Sequence, residues 1–138
     1  MSSRLMWVRV KIESWVFISA YGSGSEKSEV EIEEFWNELI ECVGSFGRNE
    51  SRVVLGDLNA RVENEVIEEI VGRYGVPGKN ESDERLLEMC AEQELVVGNS
   101  WDKKNDLYEY TWLRMAGRVV DRALMDNVLL QRRMLGRL

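Results

Sequence analysis

The chain has 138 residues, 44% hydrophobic and 31% charged, with 18 basic against 25 acidic side chains for a net charge of −7. That is the make-up of one globular domain; it excludes a disordered chain and a highly basic nucleic-acid coat, though not a local basic groove. Histidine is absent, which excludes Ser-His-Asp and Cys-His catalysis, histidine-ligated zinc and any imidazole base supplied by these residues.

In chain order, Leu5 to Ile12 sets Trp7, Val8 and Val10 among charges and reads as a strand, with Glu13-Ser14 as a turn. Arg4, Arg9 and Lys11 scattered through the first twelve residues argue against a signal peptide. Trp15 to Ala20 is a continuous β-rich apolar run, the pattern of a strand buried on both faces. Tyr21-Gly22-Ser23-Gly24-Ser25 breaks it with loop chemistry. Ile32, Phe35, Trp36, Leu39, Ile40 and Val43 then recur at helical spacing, with glutamates on the remaining face. Ser28 and Glu31 have capping-box spacing, and Gly44 and Gly47 supply a stop, so the helix runs from Val30 to Val43.

Arg52 to Gly56 is a second buried strand, halted by Asp57-Leu58-Asn59-Ala60. Glu63 to Val71 is read as a short helix and Gly72 to Ser82, with the only proline, as a loop. Glu84 to Glu94 suits a helix burying Leu86, Leu87 and Cys90, followed by a short strand, Leu95 to Val97. Trp101 to Leu107 is a charged loop, Tyr108 to Trp112 has strand chemistry, and Leu124 to Leu130 is the last apolar strand before a basic end. Cys42 and Cys90 form no CxxC and read as free buried thiols. No apolar run approaches the ~20 residues of a membrane helix. A nuclear or cytoplasmic protein, neither secreted nor membrane-bound, is expected. Strands interleaved with helices imply one α/β domain over residues 1–138.

Gly56-Asp57-Leu58-Asn59 is the sharpest local feature. A buried strand delivers an acid and an amide just past its C-terminal end, where ligands gather in layered α/β proteins. A carboxylate there takes a proton from water or holds a cation, and a carboxamide donates to a phosphoryl oxygen. Gly, Asp and Asn are equally at home in a plain strand-ending turn. Tyr21 ends the other buried run, where a phenol suits phosphate contact or ordinary packing. Asp126 lies within an apolar strand, a costly place for a carboxylate without a partner. Thr111 and Trp112 offer a phosphate-binding hydroxyl and a base-stacking ring, or core packing.

Taken together and in order, these segments resemble a known family. Ser19-Ala20-Tyr21-Gly22, the helix after it, Val54-Leu55-Gly56-Asp57-Leu58-Asn59, Tyr110-Thr111-Trp112 and Met125-Asp126-Asn127-Val128-Leu129 are similar to successive motifs of the endonuclease/exonuclease/phosphatase superfamily. The resemblance is to the endonuclease domain of LINE-type retrotransposons and its retrotransposon-derived copies. It implies a four-layer α/β sandwich, with helices packed on two mixed sheets, and Mg²⁺-dependent hydrolysis of phosphodiester bonds in DNA. By position it implies that Asp57 activates or protonates around the attacking water, Asn59 stabilises the phosphoryl group or positions that water, Tyr21 contacts the scissile phosphate and Asp126 orients a histidine. Thr111 and Trp112 would bind substrate.

The family also has a metal-binding glutamate and an asparagine on earlier strands and a closing Ser-Asp-His, none of which these residues match. Ser23 stands where the family usually has proline, and Asn127 where it has an aromatic residue. The expectation is therefore an incomplete domain. It would be marginal in stability and little active alone, with no metal ligand assigned and a sheet edge open to a protein partner. A phosphatase for inositol phosphates or lipids, from the same superfamily, and a non-enzymatic interaction module are the competing readings.

Overall fold

A computed structural model of the chain describes residues 4–10, 14–22, 26–60, 81–100, 112–116, 119–123 and 126–134, with 81, 99, 112–116, 119–123 and 126 described by backbone alone. Its main body is a five-stranded mixed sheet. β1 (Leu5–Val10), β2 (Trp15–Ala20), β3 (Ser51–Asp57), β4 (Leu95–Val97) and β7 (Asp126–Gln131) lie in the order β1-β2-β3-β7-β4. The β2–β3 pair is parallel and the others antiparallel. The parallel pair requires a crossover, which α1 (Glu29–Gly44) supplies. A second helix, α2 (Glu81–Gln93), precedes β4. Two further strands, β5 (Trp112–Ala116) and β6 (Val119–Ala123), form a separate antiparallel pair.

α1 forms where its periodicity predicts. Ser28 accepts the Glu31 amide at 3.3 Å while Glu31 accepts the Ser28 amide at 3.1 Å, so two otherwise unpaired N–H groups of the first turn are satisfied. Ile32, Phe35, Trp36, Leu39 and Val43 are buried against Val16, Ile18, Ala20, Val54 and Leu129 of the sheet and Leu86, Met89 and Cys90 of α2. Both helices thus cover one face. The Trp36 indole donates to Ser82 Oγ across the helix pair at 3.2 Å. α2 therefore begins before the Glu84 expected from sequence, taking in Ser82 and Asp83, which are buried.

The other face carries a smaller cluster of Val53, Val96, Leu130 and Met134, with Trp15, Phe17 and Val128 packed against it. Burial of β2 on both faces, expected from its unbroken apolar run, is not what the structure shows. Val16, Ile18 and Ala20 are buried, but Trp15 and Phe17 are half-buried and Ser19 is exposed. A hydrophobic run gives the chemistry of a strand but not the number of layers over it. The two sheets are also unequal: one has five strands and both helices, the other two strands. The strand expected over Leu124 to Leu130 is shifted, because β6 ends at Ala123 and β7 starts at Asp126. Readings placed on 61–80, 101–111 and 135–138, including the Glu63–Val71 helix, Tyr110 and Thr111, lie outside the described residues.

Arg52 was legible only as part of a strand, yet it is a buried cation, 1% exposed. Its guanidinium donates to the carbonyl oxygen of Val43 at 3.3 Å, to Gln93 Oε1 at 2.9 Å and to the Gln93 carbonyl oxygen at 2.9 Å. It thereby joins the C-terminal ends of α1 and α2, where helix carbonyls lack partners and the dipole favours positive charge. Burial lowers its pKa first of all, with the Arg48 charge adding to that and Glu94 opposing it.

Candidate functional site

Parallel pairing brings the C-terminal ends of β2 and β3 out at the same end of the sheet, and antiparallel β7 begins there. Tyr21 follows β2, Asp57 ends β3 and pairs in register with Asp126, and Asn59 lies two residues beyond. The topology thus gathers the backbone positions of four of the six residues singled out from sequence, Tyr21, Asp57, Asn59 and Asp126. For Asp126 the placement is that of the backbone.

Local hydrogen bonds fix this end. The Gly22 amide donates to the Asp57 carbonyl oxygen at 2.6 Å, and the Tyr21 amide to the Arg4 carbonyl oxygen at 3.0 Å. Asp57 Oδ1 accepts the Asn59 amide at 2.9 Å, a side chain closing a turn on the backbone two residues ahead. Asn59 has φ +50°, a left-handed conformation that asparagine tolerates better than most residues. Its Nδ2 donates to the Gly22 carbonyl oxygen at 3.0 Å. In this structure the Asn59 amide is a strut between the two strand ends, whereas the resemblance assigns it to a phosphoryl group. These bonds are those of the plain strand-ending turn, and they tie residues 57–59 to the Gly22 backbone that follows Tyr21. Tyr21 is 64% exposed, so the residue is accessible to a ligand.

Close approach depends on two glycines. Gly56 has φ +141°, and a Cβ there would crowd the Ala20 backbone. A Cβ on Gly22 would lie 2.5 Å from the Leu58 carbonyl oxygen. Asn127, noted in the sequence only as a replacement for an aromatic residue, is buried, and its Nδ2 donates to the Ala60 carbonyl oxygen at 3.3 Å. It steadies the far side of the 58–60 turn. A buried amide within an apolar strand was the available signal, since such a group requires a partner. Trp112 opens β5, outside the five-stranded sheet, and Thr111 lies outside the described residues.

The donor set bears on the magnesium implied by the resemblance. Among the described residues no three His, Cys, Asp or Glu side chains come together in a group able to hold a metal ion. One oxygen of Asp57 accepts the Asn59 amide. Among the described residues no helix is long and apolar enough to cross a membrane.

No protein-family model matches the chain. It is 28% identical over 116 residues to Craniofacial development protein 2 of Bos taurus, covering 84% of this chain and 19% of that protein. The same-named protein of Tragulus javanicus is 29% identical over 105 residues, covering 76% of this chain and 18% of that protein. The chain thus spans less than a fifth of the curated relatives it matches. Among solved structures it is similar to the endonuclease domain of TRAS1, a telomere-specific non-LTR retrotransposon. The TM-score is 0.63 at 15% identity, over 96% of this chain and 51% of that one. The chain therefore has an α/β fold, a five-stranded mixed sheet with two helices, like that of about half of a retrotransposon endonuclease domain; the four-layer, two-sheet sandwich expected from the resemblance is not established by this likeness.

Proposed function

We propose that this chain forms the phosphate-facing part of an endonuclease-like domain that acts on DNA. The observation that carries the reading is the lock between the ends of β2 and β3, which ties the Tyr21 loop to Asp57 through Gly22 and Asn59. In this reading the Tyr21 hydroxyl donates to a phosphoryl oxygen. Asp57, oriented by the Asn59 amide, accepts a proton from the attacking water. Asn59 serves first as a positioning residue. Asp126, at the facing register position, completes the rim, and Thr111 and Trp112 contact the nucleic acid. The apolar face of the sheet, where Met6, Val8 and Leu55 are exposed, supports a further layer and hence the four-layer sandwich. With no histidine among the 138 residues, cleavage by this chain alone is expected to be weak, since loss of one preorganised electrostatic contact costs about 10²–10³ in rate.

The test is binding of a labelled DNA duplex to the folded chain, followed by fluorescence anisotropy over a salt series. Plasmid nicking is measured alongside, with and without Mg²⁺. Salt-sensitive binding weakened by Tyr21→Ala, together with any nicking abolished by Asp57→Ala, is the expected result. Failure to bind DNA at low salt, by a sample that melts cooperatively, refutes the proposal. Preferential binding of an inositol phosphate would favour the phosphatase reading, and binding of neither ligand the interaction-module reading.

A further inference from the structure

The turn that carries Asp57 and Asn59 is held from two sides by carboxamides. On the β2 side Asn59 Nδ2 donates to the Gly22 carbonyl oxygen at 3.0 Å. On the β7 side Asn127 Nδ2 donates to the Ala60 carbonyl oxygen at 3.3 Å. Asn127 is 1% exposed and lies on the helix face of β7, since Leu129, two residues on, belongs to the core under α1 and α2. Its register partner is Gly56, which offers no side chain, and the next pair along is Asp57 with Asp126. Leu58 and Ala60 are buried in the same core, which fixes how deep the turn sits. Apolar burial has no preferred direction, so the orientation of the turn falls to its hydrogen bonds.

We infer that Asn127 is a positioning residue for the candidate site, holding the Asp57 carboxylate and, through Asn59 and Gly22, the Tyr21 loop. The inference rests on the proposed reading of Asp57 and Tyr21 as phosphate-facing groups. The path is short. Asn127 donates to the Ala60 carbonyl, the turn leads back to Asn59, Asn59 donates to the Gly22 carbonyl, and the Gly22 amide returns to the Asp57 carbonyl. Three strand ends, those of β2, β3 and β7, are thereby tied into one unit, and the tie from β7 comes from the residue next to Asp126. A carboxamide suits this place because it donates without charge. A carboxylate would face the Ala60 carbonyl with no donor and would add a negative charge to the strand end that carries Asp57 and Asp126. An apolar side chain of similar size would fill the space but take away the donor to a buried carbonyl.

Amide hydrogen exchange of the folded chain, followed by NMR, reads the turn directly, because the Asn59 amide donates to Asp57 Oδ1 and the Gly22 amide to the Asp57 carbonyl oxygen. In Asn127→Leu, and in Asn127→Ala should leucine prevent folding, both amides are expected to exchange about 3–10-fold faster, beyond any change shared with the Val54 amide of the central strand, as for the loss of one buried hydrogen bond. Affinity for a labelled DNA duplex at low salt is expected to fall by about the same factor. Gln131→Leu is the control, since it removes two carboxamide bonds at the other end of the same strand, one accepted from the Arg52 amide and one donated to the Glu50 carbonyl oxygen. It is expected to lower the thermal midpoint while Asn59 and Gly22 stay in step with Val54 and DNA affinity holds. A parent chain that binds no DNA refutes the reading of the site, and the inference with it. A parent that binds DNA, with Asn127 variants that leave Asn59 and Gly22 in step with Val54 or weaken binding no more than Gln131→Leu does, overturns the inference alone.

Discussion

Gly56→Ala tests whether close contact between β2 and β3 builds the candidate site. Gly56 has φ +141°, a region occupied almost only by glycine, so an alanine there costs about 1–3 kcal/mol in backbone strain. Its Cβ would also lie 3.0 Å from the Ala20 carbonyl carbon and 3.3 Å from the Ala20 nitrogen, with the carbonyl oxygen nearer still. These are backbone atoms and cannot rotate away, so the strands must part, at an overpacking cost of about 1–3 kcal/mol. The sum, about 2–6 kcal/mol, is a large share of the ~5–15 kcal/mol that holds a domain of this kind together. Parting the strands would also stretch the 2.6 Å bond from Gly22 to Asp57, so the site should loosen before the sheet melts. Equilibrium urea unfolding followed by tryptophan fluorescence measures the loss, with Gly44→Ala as the contrast. At Gly44 a Cβ meets only the Gln93 side chain, nearest at 3.4 Å, and alanine in a helix is favoured over glycine by up to about 1 kcal/mol. The same chemical change should therefore destabilise at one position and be neutral or stabilising at the other. Gly56→Ala within about 0.5 kcal/mol of the parent would refute the reasoning.

Arg52→Met keeps the volume but removes the donors to the Val43 carbonyl and to both Gln93 oxygens. With about 1–3 kcal/mol per unsatisfied group, partly offset by no longer burying a charge, a loss of about 2–4 kcal/mol in urea unfolding is expected. Ser28→Ala should cost about 0.5–2 kcal/mol by removing the α1 cap, read as a lower thermal midpoint. Glu31, which accepts the Ser28 backbone and side-chain hydrogen bonds, has its pKa held below the ordinary 4.5. Its contribution is therefore present above that value and lost as pH falls through the folded pKa; Glu31→Gln should flatten this acid-side slope in melts across a pH series. Burial pushes the Cys90 thiol up to about 12, and more modestly raises Cys42. A thiol reagent near pH 8 should label Cys42 slowly in the folded chain and Cys90 only after denaturant is added.

The elements were legible where one side-chain period and one cap agreed. α1 is the clearest case, since its apolar stripe, its Ser28–Glu31 box and its burial all coincide. The start of α2 is hidden in the sequence because Ser82 has loop chemistry, and a buried partner for it, the Trp36 indole, comes from 46 residues away. Tyr21 and Asp57 were legible as site candidates because each ends a β-rich run, and a parallel pair brings such ends together. What holds them was not legible. Asn59 bonds to a carbonyl 37 residues away, Asn127 to one 67 away and Arg52 to a side chain 41 away. Sequence shows that a polar group in an apolar strand requires a partner; only the fold names it. By that rule Asp126 and Arg52 both required explanation, yet only Asp126 was singled out, because Arg52 opens its strand and passes for a solvated end. The distinction that mattered was depth, and depth here is set by α1 and α2 ending over the same residue.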